Sequence, residues 1–174
     1  MWSFDTGKYY KMLKTKQKVI LFDGPDGCGK TNMGQELSRR LGVPYFKNKK
    51  ESMFFENDPS YFANALKYGD SYFCDYLKQS GASIILDRSF PSEWVYSKAF
   101  NRKTDDKMLK LIDSLYSGLG LVILSPYRSS YNLVVDEFAS IDSKKLEEIH
   151  NLYIDFSKWT TCRMYRFCVD DENI

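Results

Sequence analysis

Short apolar runs alternate along the chain with longer segments in which apolar residues recur every three or four positions. Continuous apolar runs are typical of strands buried on both faces of a sheet, and the longer spacing predicts helices. We predict strands at 17–23, 43–46, 82–86, 119–124 and 164–169 and helices at 30–41, 60–79, 91–101, 104–117 and 143–159. This alternation predicts an α/β fold, a five-stranded parallel sheet with helices on both faces.

The length and charge of the chain indicate one domain. Its 174 residues suit a single core. We therefore assign 1–174 to one domain, with an N-terminal arm at 1–16 and a short lid-like loop at 126–141. The formal net charge of +2 gives no general attraction for nucleic acid or membranes. We favour an arm that packs on the sheet edge, while nucleic-acid binding stays open as the less favoured partner.

The cysteine content and the hydropathy indicate a cytoplasmic protein. The four cysteines form no C-x-x-C pair, which is typical of free thiols in a reducing compartment. No apolar run approaches the roughly 20 residues of a membrane span, and the first residues lack the apolar core of a secretion signal. We predict no membrane partner.

The run G-x-x-x-x-G-K-T from Gly24 to Thr31 lies directly behind the first predicted strand. In this context it predicts a phosphate-binding loop and the three-layer P-loop NTPase fold. Backbone N–H groups of the loop and the next helix would face phosphate oxygens. Lys30 would contact the β- and γ-phosphates, and the Thr31 hydroxyl would bind Mg²⁺. The candidate cofactor-binding residues here are Gly24, Asp26, Gly27, Cys28, Gly29, Lys30, Thr31 and Asn32. We interpret Cys28 as a small loop residue rather than a redox-sensitive thiol.

A second group of polar residues follows the third predicted strand. Asp87 ends an apolar run, as Mg²⁺ binding beside a phosphate loop requires. Arg88 comes next, and its guanidinium can bind a phosphate through two parallel hydrogen bonds. Ser92 would lie at the start of the following helix. Since the carboxyl ends of parallel strands meet at one edge of the sheet, both groups are predicted to share a site.

Together the two motifs resemble the thymidylate kinase and deoxynucleoside kinase group. The thymidylate kinase branch carries an acidic-Gly-x-Asp-Gly-x-Gly-Lys-Thr loop, matched by 23–31, and an Asp-Arg-Tyr-x-x-Ser-x-x-Ala-Tyr run, matched by 87–96. The loop is generic, whereas Asp26 and the Asp-Arg-x-x-x-Ser spacing are more specific. The rest of the chain is similar only in element order and length.

The resemblance implies transfer of a phosphoryl group from ATP, with Mg²⁺, to a deoxynucleoside monophosphate, with a thymidine-like acceptor. It implies that Lys30 and the loop hold ATP, and that Thr31 and Asp87 bind the metal. Arg88 would hold the acceptor phosphate and Asp26 would lie near the acceptor sugar. The candidate catalytic residues are Lys30, Asp87, Arg88 and Asp23.

The chain also departs from the family pattern. Thymidylate kinases place Arg-Glu-Pro after the second strand, where this chain has 47–51, and their Asp-Arg-Tyr is Asp-Arg-Ser here. Arg128 is the only arginine in the predicted lid, which is arginine-rich in relatives, and we predict that it contacts ATP. We favour solvated loop lysines at Lys47 and Lys49, and contact of either one with the acceptor phosphate stays open as the alternative. The short lid and the aromatic content are similar to those of virus-encoded nucleotide kinases, which would act in the host cytoplasm.

The helix predicted at 60–79 has two aromatic faces, one of which is assigned to the core. The other would either stack a nucleobase on Tyr68 or Tyr72 or pack conventionally, and both interpretations stay open. Lys67 lies near where relatives have an arginine beside the acceptor base. The candidate acceptor-binding residues are Asp26, Arg88, Ser92, Lys67, Tyr68 and Tyr72.

Other functions stay open. A deoxynucleoside kinase would use Asp23 as a base on a free 5′-hydroxyl, and a third kinase would act on a modified base or end in DNA. A nucleotide-binding switch is disfavoured, because the chain lacks Asp-x-x-Gly after the third strand and Asn-Lys-x-Asp late in the sequence. A small-molecule nucleotide is the expected partner, and a homodimer is left open.

Overall fold

A computed structural model describes residues 17–47, 59–131 and 141–170, with side chains from 69 onward in the second of these segments. The strands of the described part are β1 (Val19–Phe22), β2 (Tyr45–Lys47), β3 (Ile84–Asp87), β4 (Val122–Tyr127) and β5 (Arg163–Cys168). Its α-helices are α1 (Lys30–Leu41), α2 (Pro59–Ser80), α3 (Phe90–Ala99), α4 (Asp106–Gly118) and α5 (Ser143–Trp159).

The strands form one parallel sheet in the order β2-β3-β1-β4-β5. After β1 the chain continues to β2 at one edge of the sheet, and after β4 it continues to β5 at the other edge. The strand order therefore reverses beside β1, which is the topological switch point where ligands bind in such sheets. Asp87 at the end of β3 is level with Phe22 of β1 and with Lys47 of β2. This register brings the carboxyl ends of three neighbouring strands together, as the sequence predicts.

Alternate residues of β1 lie on opposite faces of the sheet and pack in two different hydrophobic clusters. Val19 and Leu21 pack in the larger cluster, which includes buried residues of α3, α4 and α5. Ile20 and Phe22 face the smaller cluster, against Met33 and other residues of α1. Helices therefore cover both faces of the sheet, which confirms the predicted layers and explains why the central strand β1 is apolar throughout.

The predicted bounds of α1 and α5 are confirmed, whereas the fourth strand differs. It was expected at 119–124 but runs from Val122 to Tyr127, because α4 continues to Gly118 and a turn precedes the strand. Pro126 is compatible with this strand because β1 pairs with β4 only as far as Leu124, so no strand partner is lost on that side.

The first two residues of the predicted lid are thus part of β4, while 132–140 lie outside the described residues, as does the arm at 1–16. In the described part of the chain, no helix has both the length and the apolar character needed to cross a membrane.

Candidate nucleotide-binding site

The loop between β1 and α1 has the backbone geometry that a phosphate-binding loop needs. Gly29 precedes α1 with a φ of 69°, a left-handed conformation that favours glycine. No side chain caps the start of α1, so its first N–H groups stay available for a ligand. Cys28 is buried, with its Sγ 3.9 Å from the Tyr131 hydroxyl. Burial raises the pKa of the Cys28 thiol, which fits a packing role in the loop.

Lys30 is a buried cation. Its side chain is 6% exposed, and its ammonium donates a hydrogen bond to the carbonyl of Pro25 within the loop. Burial and the nearby positive charge of Arg88 lower the pKa of Lys30 to about 8. A buried ammonium with so few partners costs stability, and the phosphate groups of a ligand would offset that cost.

Asp87 lies at the end of β3 beside the start of α1. Its Oδ2 accepts hydrogen bonds from the hydroxyls of Thr31 at 2.8 Å and Tyr45 at 2.6 Å, and Lys47 forms an ion pair with it at 3.4 Å. Burial alone would raise the pKa of Asp87, but the hydrogen bonds from Tyr45 and Thr31 and the charge of Lys47 lower it. The carboxylate is therefore ionised at neutral pH.

The oxygens of Asp87 and Thr31 fit a magnesium ion. Hard cations such as Mg²⁺ prefer oxygen ligands, and Asp87 Oδ1 is buried without a hydrogen-bond partner among the described residues. A buried carboxylate oxygen of this kind suits a cation or its ordered water. Bound there, Mg²⁺ would neutralise negative charge on the β- and γ-phosphates.

A glycine in α1 makes room for the tyrosine that orients Asp87. A Cβ at Gly34 would lie 2.7 Å from Cε2 of Tyr45, which is closer than packed atoms allow. The absence of a side chain at Gly34 thus lets the Tyr45 ring lie against α1 with its hydroxyl on the Asp87 carboxylate. This explains a glycine in a helix interior, where it normally costs about 1 kcal/mol relative to alanine.

Arg88 lies at the corner between β3 and α3, with a φ of 68° that is unusual for a side chain of this size. Its N–H donates to the carbonyl of Phe22 at 3.0 Å. Its guanidinium forms an ion pair with Asp26 and donates to Ser92 Oγ at 3.0 Å. Tyr96 completes the group: its hydroxyl donates to Asp26 at 2.8 Å and its ring lies under the guanidinium. Backbone strain held by so many contacts is typical of functional sites.

Asp23 is fully buried beneath this corner. Its Oδ1 accepts hydrogen bonds from the hydroxyls of Tyr153 at 2.6 Å and Ser92 at 2.7 Å. Its Oδ2 accepts from the backbone N–H groups of Ser89 at 3.1 Å and Ser92 at 3.3 Å, at the start of α3. Burial raises the pKa of Asp23, against the charge of Arg88 and these hydrogen bonds. The carboxylate therefore braces α3 against β1 and has no free face.

The two groups of residues line one cavity of about 580 Å³. Its walls are formed by Asp26, Gly27, Gly29, Lys30, Thr31, Asn32, Lys47, Asp87 and Arg88. Most of the predicted site residues thus lie together, with three cations and two carboxylates around one space.

Other predicted site residues lie outside these walls. Asp23 and Ser92 lie behind Arg88, and Arg128 lies against the outer side of the loop, where its guanidinium binds the carbonyl of Gly27 and the carboxylate of Asp170. Tyr72 is 76% exposed on α2. The side chains of Lys67 and Tyr68 lie outside the described residues.

Three residues at or beside the cavity are not among the predicted site residues. The sequence favours a loop lysine at Lys47, with contact to the acceptor phosphate as the less favoured alternative, yet Lys47 ends β2 beside β3 and lines the cavity. The signal was its place directly after an apolar strand, the same signal that identified Asp87. Tyr96 stood within the matched motif but had no role assigned. Tyr45 had no signal in the sequence, because its role depends on the space left by a distant glycine.

Lys30→Met tests the cost of the buried ammonium. We expect the unliganded variant to be more stable than the wild type by about 1–3 kcal/mol, because an apolar chain of similar length replaces a sparsely paired buried charge. We also expect ATP with Mg²⁺ to raise the melting temperature of the wild type but not of the variant. Urea denaturation and thermal melts measure both effects. Lys107→Met removes an exposed lysine on α4 and should change neither. A Lys30→Met protein that is destabilised, or that ATP still stabilises, would contradict this view of the site.

Gly34→Ala tests the space for Tyr45. We expect a loss of about 1–3 kcal/mol in the free energy of unfolding, because the new methyl group forces the ring to move. The matched control is Gly69→Ala in α2, where an added Cβ meets nothing within 4 Å and helix propensity favours alanine. Denaturant unfolding of both variants measures the difference. A Gly34→Ala protein as stable as Gly69→Ala would show that the contact is unimportant.

Comparisons with known proteins agree with this architecture. No protein-family model matches the chain, and no curated protein sequence matches it. Among solved structures, it is similar to the Bacillus subtilis YorR protein in complex with phosphorylated GDP, at 19% identity and a TM-score of 0.61 over 90% of this chain and 88% of that one. A thymidylate kinase from Ehrlichia chaffeensis matches at 15% identity and a TM-score of 0.60 over 92% and 91%.

A third similar structure is the deoxyadenosine kinase from M. mycoides with bound dATP. It matches at 19% identity and a TM-score of 0.51, over 87% of this chain and 91% of that one. The resemblance drawn from the two sequence motifs is therefore confirmed at the level of the fold. The chain has the three-layer fold of the P-loop nucleotide and nucleoside kinases.

Proposed function

We propose that this protein is a kinase that transfers the γ-phosphoryl group of ATP, with Mg²⁺, to a deoxynucleoside monophosphate, with a thymidine-like acceptor. One observation carries the proposal: the phosphate loop after β1 and the Asp87–Arg88 corner after β3 line the same cavity. A donor triphosphate and an acceptor phosphate need such a shared space, because phosphoryl transfer requires the two groups in line.

The charges of the cavity support phosphoryl transfer. Lys30, Lys47 and Arg88 bring three positive charges to its walls. Preorganised charges of this kind stabilise the negative charge that spreads over the transferred group in the transition state. They would replace the positive charges that an arginine-rich lid supplies in relatives. Arg128, the only arginine of the predicted lid, is engaged with the outer side of the loop and with Asp170. Positioning and electrostatics would thus account for most of the catalysis.

The position of Arg88 supports an acceptor that carries a phosphate. Asp26 and the ring of Tyr96 hold the guanidinium at the cavity wall, so it would bind an acceptor phosphate with little further loss of side-chain freedom. Asp26 would lie beside the acceptor sugar, as the resemblance implies. Its second oxygen is already occupied by the Tyr96 hydroxyl, which leaves little capacity for a ribose 2′-hydroxyl and favours a deoxyribose.

The surroundings of Asp23 disfavour the alternative, a deoxynucleoside kinase. A general base must come within hydrogen-bond distance of the hydroxyl that it deprotonates. Both oxygens of Asp23 are occupied by groups of α3 and α5, and the side chain is 0% exposed. A phosphate acceptor needs no strong base, since its attacking oxygen is already anionic. A monophosphate acceptor therefore suits this site better than a free 5′-hydroxyl.

An acceptor panel tests the proposal. Purified protein receives labelled ATP and Mg²⁺ with thymidine, the four deoxynucleoside monophosphates or a DNA oligonucleotide, and the labelled products are separated. We expect a labelled deoxynucleoside diphosphate, most readily from thymidine monophosphate. Label on thymidine or on DNA would support one of the two other kinase functions, and no transfer to any acceptor would contradict a kinase.

Asp23→Asn, assayed with the preferred acceptor, separates a bracing role from a base. We expect turnover per folded molecule to fall by less than about tenfold, whereas loss of a general base costs about 10²–10⁴-fold. Asp113→Asn is the matched control, because Asp113 is another fully buried carboxylate with its own hydrogen-bond donors, Thr160 and Thr161, away from the cavity. Both variants should lose similar stability. A hundredfold loss of turnover in Asp23→Asn alone would assign the base.

A further inference from the structure

Lys47 occupies the position where a cation would bind between α1 and β3. Its Nζ lies 2.5 Å from Thr31 Oγ1 and 3.4 Å from Asp87 Oδ2. Thr31 Oγ1 is one of the oxygens that fit Mg²⁺, and Oδ2 belongs to the same carboxylate as the unpartnered Oδ1. An ammonium and a metal ion would therefore compete for the lone pairs of Thr31 Oγ1 and for the negative charge of Asp87.

Electrostatics explain why the lysine lies there. Asp87 is 1% exposed and ionised, and a buried carboxylate without a nearby cation is strongly disfavoured. Thr31 and Tyr45 donate hydrogen bonds but bring no charge, and the charge of Lys30 also favours the ionised carboxylate, though less than that of Lys47. Among the described residues, Lys47 is the basic side chain that forms an ion pair with Asp87.

The geometry points to Lys47 as an internal counter-ion of the metal site: it neutralises Asp87 and engages Thr31 while no metal is bound, and it must leave these oxygens before a divalent cation can use them. The inference rests on the proposed function for the identity of the nucleotide. A side chain of the protein itself thus opposes binding of the metal.

The Lys47 ammonium has an alternative position within the cavity. Its side chain is 26% exposed and lines the same cavity as Lys30 and Arg88. The flexible four-carbon stem of a lysine allows the ammonium to turn toward phosphate oxygens in that cavity. A bound nucleotide would therefore accept the displaced charge.

Positive coupling between metal and nucleotide follows. Without nucleotide, a divalent cation must displace Lys47 into a cavity already lined by two other cations. With nucleotide, Lys47 gains phosphate partners as it leaves. Each ligand should thus tighten the binding of the other, by the same factor in both directions. The lysine would keep the empty site from holding free Mg²⁺.

Lys47→Met tests this exchange without any assay of turnover. Free Mn²⁺ is followed by electron paramagnetic resonance as it is titrated into the protein, without nucleotide and then with ADP, with correction for the Mn²⁺–ADP complex in solution. We expect Lys47→Met to bind Mn²⁺ alone at least about tenfold more tightly than the wild type, because no ammonium has to leave the carboxylate. The factor by which ADP tightens Mn²⁺ binding should fall to a similar extent.

Three further variants complete the design. Lys107→Met removes the same charge from an exposed site on α4 and should match the wild type. Asp87→Asn in the Lys47→Met background should abolish the gain in Mn²⁺ affinity. That loss would show that the added Mn²⁺ binding takes place at Asp87. Lys47→Gln, with circular dichroism to confirm folding, replaces Lys47→Met if the apolar side chain disturbs β2.

The outcomes separate this inference from the proposed function. Equal Mn²⁺ affinity in Lys47→Met, Lys47→Gln and the wild type would overturn the counter-ion role even if the acceptor panel shows a kinase. Tighter Mn²⁺ binding in the folded variants would support the role even if no acceptor in the panel is phosphorylated. Weaker Mn²⁺ binding in both variants would also overturn it, because Lys47 would then assist the metal rather than oppose it.

Discussion

The buried carboxylate of Asp23 ties the end of β1 to the start of α3, and the rest of the site depends on this tie. Its hydrogen bonds with Ser89, Ser92 and Tyr153 connect three elements that are far apart in the sequence. They hold the corner at Arg88 against the phosphate loop despite the strained backbone there. Without this brace, the two strand ends would still be neighbours in the sheet, but the start of α3, which brings Ser92 and Tyr96 to Arg88, would lose its anchor to β1.

The site holds charges that the folded chain alone satisfies only in part. Lys30 is buried with the Pro25 carbonyl as its hydrogen-bond acceptor, and one oxygen of Asp87 has no partner among the described residues. Such groups lower the stability of the unliganded protein. They are expected where ligands supply the missing partners, which is the usual conflict between stability and activity. Lys47 relieves part of the cost, since its ammonium neutralises Asp87 when the cavity holds no ligand.

Much of this site could be predicted from the sequence because the residues that carry its chemistry lie in two short segments of the chain. The Gly24–Thr31 loop and the Asp87–Arg88 pair each follow an apolar strand, and parallel strands bring their carboxyl ends to one edge. The tertiary contacts could not be predicted in this way. Tyr45 reaches Asp87 only because Gly34 leaves space on a neighbouring helix, and Tyr153 reaches Asp23 across 130 positions of the chain. The bounds of the fourth strand could not be predicted either, because its start depends on where α4 ends and its last residues pair only with β5.

In the proposed function, the cavity at the ends of β1 and β3 holds a continuous row of phosphates, from donor to acceptor. Calorimetric titration with a bisubstrate compound, adenosine joined to deoxythymidine through five phosphates, tests it most directly. We expect one site per chain and binding at least about 10²-fold tighter than that of ATP, because both halves bind as one ligand. Binding no tighter than that of ATP would show that the two strand ends do not share a phosphate chain, and would contradict the proposed function.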